Sequence, residues 1–489
     1  MDEALNGLEP KEVWKYFGEI AKIPRPSKHE GAISRWVQEF AREHALALKT
    51  DKVGNSVIEV PATAGYEHAP SVCLQGHLDM VTEKNSSTTH DFMKEGIRLK
   101  RADKSVFADG TTLGADNGLG VSAMLALIDD QSAVHGPLEL LMTVDEESGL
   151  TGAKGLDPSL VKSRILLNLD SEEEGALYVG CSGGRDTLAS WDLQVEELPE
   201  KMQFFTFQVS GLKGGHSGLD IDKQRGNAIK ILGRALLEVE KLGLRIGSLQ
   251  GGNKRNAIPR EAQVQAYIPV AKWALAEEKW AAFSALVKEE FHAADPGLQI
   301  SWKAEAVKKG KVFTRILQKR LLRLIDAIPH GVQKFSHEIP GLVQTSTNFG
   351  VFTTGRKQIS VTTSQRSSVA SELSALSRGI GSLLSLAGGE VEHSTGYPGW
   401  KPNLSSDALK VVSDEHLKLF GHKPEVKAIH AGLECGIIGE KYPEMDMISF
   451  GPTIIGAHSP DEHVEIETVD KFYRLLKAVL KTYAERKVH

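Results

Sequence analysis

Three cysteines in a chain of 489 residues, Cys73, Cys181 and Cys435, are too few and too widely spaced for a disulfide framework or a cysteine-rich zinc site. Any metal bound here must be held by His, Asp and Glu. No run of eighteen apolar residues occurs, which argues against a membrane-spanning helix, and the acidic start MDEALNGLEPKEVW lacks the basic and apolar segments of a signal peptide. A cytosolic, cytoplasmic location is therefore expected, with no membrane partner. The formal charge is -6 and no basic stripe is present, so nucleic acid is not expected either, because that binding needs clustered Lys and Arg to neutralise phosphates. What remains is a globular composition, a length suited to two or three domains, and a small molecule as the default partner.

Several apolar stretches end in chemistry. Residues 72–79, VCLQGHLD, read as a buried strand whose end carries His77 and Asp79 on one side, since side chains two apart in an extended chain face alike. Such a pair opens a metal site or is simply hydrogen-bonded at a strand end. The strand LELLMTVDEE (138–147) ends in Asp145, Glu146 and Glu147, and RILLNLD (164–170) ends in Asp170. Between them LGADNGLG runs into the helical pattern VSAMLALIDD, placing Asp116 where it could cap the helix or bind a metal. In an open α/β sheet, ligands bind beyond the carboxyl ends of the strands, so these acids converge on one edge. Gathered carboxylates repel one another, and one or two cations stabilise them.

Two helices are predicted over residues 10–22 and 28–45, broken by Pro24 and Pro26, and the polar stretch 83–112 is long enough to hold minor strands of its own. The texture changes near Ser190. From Phe204 the order is β-α-β-β-α-β, the ferredoxin-like arrangement, and a second, partial version follows after Arg315. The fold class expected is α/β: a discontinuous catalytic domain (1–188 and 399–489), a mixed sheet flanked by helices, with an inserted α+β domain (189–398) that is a doubled ferredoxin-like unit. The last piece brings His430, Glu434 and His458 into play. Other histidines, among them His90, His135 and His330, lack matching partners in sequence and read as surface or capping residues.

GHLDM (76–80), GADNG (114–118), DEESGLTGA (145–153), NLDSEE (168–173), GGHSG (214–218) and GAHSPDE (456–462) together resemble the di-zinc aminoacylase and carboxypeptidase family of metallopeptidases, nearly end to end. The resemblance implies a di-zinc exopeptidase fold and two Zn2+ per subunit, with Co2+ or Mn2+ also acceptable to such ligands. Asp116 would bridge the ions, His77 and Asp170 holding one, Glu147 and His458 the other. Glu146 would be the general base and Asp79 the support of His77. The inserted domain would be a lid whose His216 stabilises an oxyanion, although a histidine between glycines also suits a plain turn. Asn256 and Arg366 are candidate substrate contacts, Arg366 for a terminal carboxylate, although an Arg ending a strand is commonly only solvated. Glu434 would meet the substrate's amino group. The implied activity is hydrolysis of dipeptides with free ends, Xaa-His dipeptides foremost, and the resemblance admits a homodimer because lids of this family often pair across a two-fold axis.

The alternatives within the class are a broader dipeptidase, an aminopeptidase and an N-acyl amino acid deacylase. Outside it stand a two-metal phosphoesterase, disfavoured by the lack of cationic phosphate contacts, and a non-catalytic peptide-binding protein, disfavoured because every implied ligand and the base are present.

Overall fold

The computed structural model describes residues 2–306 and 310–486. It divides into two compact units, one running to Gly180 and resuming over Trp400–Ala428 and from Leu433, the other comprising Cys181–Gly399 and Ile429–Gly432. Among the described residues no helix is long and apolar enough to cross a membrane.

The first unit is built on an eight-stranded sheet. At its centre four strands run parallel, Leu138–Thr143, Val72–His77, Ile165–Asn168 and Asp446–Ser449. Val72–His77 and Leu138–Thr143 are buried along their whole length, as largely apolar strands in the interior of a sheet should be. Ala47–Thr50 and Ser56–Val60 extend the sheet antiparallel. The helices Lys11–Ile20 and Gly31–Glu43 follow the expected break. Helix Ala115–Asp129 is buried on nearly every side, so its sequence carries no polar stripe. The polar stretch does hold minor strands, Leu99–Ala102 and Ser105–Ala108, and they form a second small sheet with Ile454–Ile455 and His463–Glu465. That sheet ties down both ends of the turn that carries His458.

The second unit contains a nine-stranded sheet with helices Ala228–Glu240, Trp273–Phe291, Arg315–Ala327 and Ala370–Leu386 contributing to one apolar core. Half of it has the order Gln299–Glu305, Met202–Ser210, Ala262–Pro269, Arg245–Gly251, which is the ferredoxin-like order 4-1-3-2. The other half repeats this as Glu390–His393, Gly183–Asp192, Gln358–Ser367, Val343–Thr354. The second strands of the halves pair with each other, Gln250 opposite Thr353, so one sheet runs through both. The repeat is complete, not partial. Its first strand, Gly183–Asp192, precedes the entire other half, which is why the sequence shows only a truncated copy after Arg315. The same strand moves the first junction to Gly180–Cys181 rather than 188/189, because it pairs along its full length with Gln358–Ser367.

Some histidines depart from the expected surface role. His90 and His135 are buried, and His330 accepts at Nδ1 from Asn227 Nδ2 and from the Phe349 amide, both at 3.3 Å.

Candidate metal centre

The parallel strands of the first unit all end on one edge, and the loops leaving them carry the acids. His77 Nε2 lies 3.0 Å from Asp116 Oδ1 and 3.3 Å from Asp170 Oδ1. His458 Nε2 lies 3.1 Å from Asp116 Oδ2 and 3.0 Å from Glu147 Oε2. Asp116 thus turns one oxygen to each histidine, and the groups His77–Asp116–Asp170 and Asp116–Glu147–His458 share it. Glu146 stands with His77 and Glu147 in a third such group. The side chain of Asp116 makes no helix cap.

The donor set suits cations. Glu147 Oε1 and Asp170 Oδ1 are buried with no hydrogen-bond donor, a state that costs roughly 1–3 kcal/mol per group or more for a charged one. His77 Nδ1 donates to the Asp79 carbonyl oxygen at 3.2 Å and lies 3.4 Å from its carboxylate, which leaves the Nε2 lone pair facing two more oxygens. Without a cation, protons have to fill these gaps. Burial pushes Asp170 up to about 7, against the attraction of His77. Burial also raises Glu146 well above the ordinary carboxylate range, opposed by His77 and reinforced by Asp170, Glu434 and Glu147. Burial would raise Asp116 too, but hydrogen bonds from His458 and His77 hold it well below that range. Hydrogen bonding to Asp116, then to Glu147, lifts His458 to about 11.

Asp79 does more than face His77. Its Oδ1 accepts from the Glu146 amide at 3.0 Å, and its Oδ2 from the Glu147 amide at 3.2 Å and Ser27 Oγ at 2.7 Å. Burial would raise its pKa, yet its bonds with His77, Ser27 and the Glu146 amide bring it down to about 2. The turn it grips begins at Asp145 with φ +49°, and His458 has φ +64°, so both turns that carry candidate ligands use a left-handed backbone that is uncommon outside glycine.

Three supporting residues escaped the sequence reading. Glu462 accepts from the amides of Leu113, Gly114 and Ala115 at 2.8, 3.1 and 2.8 Å, satisfying the helix start that Asp116 leaves uncapped. It lies inside the GAHSPDE motif, but nothing local signals a partner so distant in sequence. Asn117 accepts from the His77 amide at 3.3 Å and donates to the Leu169 carbonyl at 2.7 Å, linking the strand ends that carry the candidate ligands His77 and Asp170. Gly76 leaves room for it, since a Cβ there would come 2.1 Å from Asn117 Oδ1. Arg25, between the two prolines, donates to the carbonyls of Leu78 at 3.0 Å, Asp79 at 2.7 Å and Gly114.

Glu434 is buried beside this edge. Its Oε2 accepts from Gln75 Nε2 and Thr143 Oγ1, both at 2.6 Å, while Oε1 has no donor. Burial raises it to about 7, opposed by Thr143 and His77.

The second unit holds the other candidates. Loop 214–218 and turn 253–258 are stitched together by a bridge between His216 and Ala257 and by the Ser217 amide on the Asn256 carbonyl at 2.8 Å, which brings His216 and Asn256 side by side. His216 Nδ1 accepts from the amides of Gly218 and Leu219 at 3.2 and 3.1 Å, so its hydrogen sits on Nε2. Burial, and then the charge of Arg366, lowers its pKa. Arg366 is not a solvated strand end: it is 7% exposed and donates to Tyr397 Oη at 2.8 Å. His430 Nε2 lies 2.7 Å from Ser346 Oγ in the same unit.

The model of peptidase family M20/M25/M40 matches residues 73–482. The chain is 40% identical over 478 residues to the cytosol non-specific dipeptidase of Escherichia coli (strain K12), covering 98% of each. The crystal structure of aminoacylhistidine dipeptidase from Vibrio alginolyticus matches with a TM-score of 0.92 at 41% identity, over 98% of both chains. Aminopeptidase PepT from Bacillus cereus ATCC 10987 shares the fold at 16% identity and a TM-score of 0.56, over 98% of this chain and 100% of that one.

Proposed function

The chain belongs to peptidase family M20/M25/M40, and from that premise we propose that it is a metal-dependent dipeptidase acting on small peptides with free amino and carboxyl ends, Xaa-His dipeptides among them. The observation that carries this reading is the shared Asp116, one oxygen toward each of two complete ligand groups. His77 and Asp170 would hold one ion with Asp116, Glu147 and His458 the other. We take both ions to be zinc, with cobalt or manganese as alternatives. When bound, they lower the pKa of a water and polarise the scissile carbonyl.

The chain's own groups do the rest. Glu146, grouped with His77 and Glu147, takes the proton of the attacking water and returns it to the departing amine. Asp79 fixes Glu146 through the backbone amide and His77 through the ring. Glu434, with one oxygen unpartnered, meets the substrate's ammonium. The second unit supplies Arg366 for the terminal carboxylate, with His216, neutral and carrying its hydrogen on Nε2, as oxyanion donor and Asn256 beside it. Cytosolic location and a homodimeric assembly belong to the same reading, the first supported by the name of the E. coli relative.

The relatives' names differ in breadth, one non-specific and one aminoacylhistidine. Hydrolysis rates on a panel of Xaa-His and other dipeptides, each also amino-acetylated or carboxyl-amidated, test the proposal. Free dipeptides should be cleaved, and blocking either end should lower kcat/KM at least tenfold, about what loss of one charge-assisted contact removes. Equal rates on free and blocked peptides would contradict it.

A further inference from the structure

We propose that Tyr397 is a specificity-determining residue whose phenol hydroxyl donates to the carboxylate end of the substrate; this rests on the assignment of Arg366 to that carboxylate. Arg366 Nη1 donates to Tyr397 Oη at 2.8 Å, so the phenol oxygen is the acceptor in that bond and its own hydrogen is left to donate. Joined in this way, a cation and a neutral donor are placed to serve one oxyanion. Arg366 Nε is buried with no partner, and an acceptor is what it lacks.

The phenol is held before any ligand arrives. A Cβ at Gly184 would lie 2.6 Å from Oη, and one at Gly432 would lie 2.7 Å from Cε2, so the ring occupies a slot that only glycine leaves open. Backbone bonds run both ways between Gly184 and Tyr397, at 3.0 and 2.9 Å. Burial raises the phenol's pKa, which keeps the donor protonated. Around it, burial and the charge of Arg366 keep His430 neutral, its pKa lowered to about 3, and Asp186 is engaged by Arg255. Arg366 is therefore the charge that selects an anion, and Tyr397 the donor that fixes its orientation.

Calorimetric titration of the metal-loaded enzyme with a reduced-bond dipeptide, its peptide group replaced by methyleneamine, and with the C-terminal amide of that compound tests this. Wild type should bind the free carboxylate more tightly than the amide. Tyr397→Phe should bind the carboxylate about tenfold more weakly and the amide unchanged. Unchanged binding of both compounds by Tyr397→Phe, or an equal loss for both, would overturn the proposal. Failure of wild type to prefer the carboxylate would instead remove the Arg366 assignment on which it rests.

Discussion

At the scale of single residues, the centre depends on carboxylates with divided tasks. Asp116 gives one oxygen to each ligand group, and Asp79 gives one oxygen to each of two consecutive amides, those of Glu146 and Glu147. The second arrangement explains how adjacent acids can play different parts. With both amides gripped, Glu147 reaches His458 while Glu146 stays free of it. Glu146→Gln preserves shape and removes the base, so it should bind the same amount of metal as wild type and lose about 10²–10⁴-fold in kcat. Elemental analysis beside steady-state kinetics checks this, and wild-type turnover in that variant would exclude Glu146 as the base.

At the scale of elements, what was legible in the sequence was what is locally encoded. Buried strands announce themselves as apolar runs, and an acid or histidine ending each run locates the ligand edge, as in VCLQGHLD and RILLNLD. Supports that act across the fold were not legible. Glu462 caps a helix start more than three hundred residues earlier, and no pattern around either segment records that. The doubled sheet was half legible for the same reason: Gly183–Asp192 belongs with Val343–Thr354 and Gln358–Ser367, yet a whole ferredoxin-like half lies between them in sequence. His330 is another such link. Its Nδ1 accepts from Asn227, which caps helix Ala228–Glu240, and from the Phe349 amide in the neighbouring strand. Burial, with Lys230 adding to it, lowers its pKa from 6.5 to about 4. Because the folded value lies below the unfolded one, protons favour unfolding. The contribution is complete above pH 6.5 and is lost as pH falls toward 4. Wild type should therefore lose melting temperature more steeply than His330→Asn across that window, and parallel curves would show that His330 is not the group responsible.

At the scale of the whole molecule, the first unit carries the proposed metal ligands and Glu146, and the second carries Arg366 on a strand of the doubled sheet and His216, Asn256 and Tyr397 in loops beside its strands. Two ferredoxin-like halves joined by their second strands make one continuous sheet, and strands of both halves share one large core of aromatic and aliphatic side chains. Family membership and 40% identity with a dipeptidase over nearly the whole chain set the reaction class, whereas the proposal that two ions are needed rests on the arrangement about Asp116. Removing the shared carboxylate should therefore cost both. The most direct test is the metal content per chain of Asp116→Ala beside wild type, measured by elemental analysis after equilibration with zinc. Two ions per chain in wild type and fewer than one in the variant are expected; two ions retained by Asp116→Ala would contradict the bridged centre.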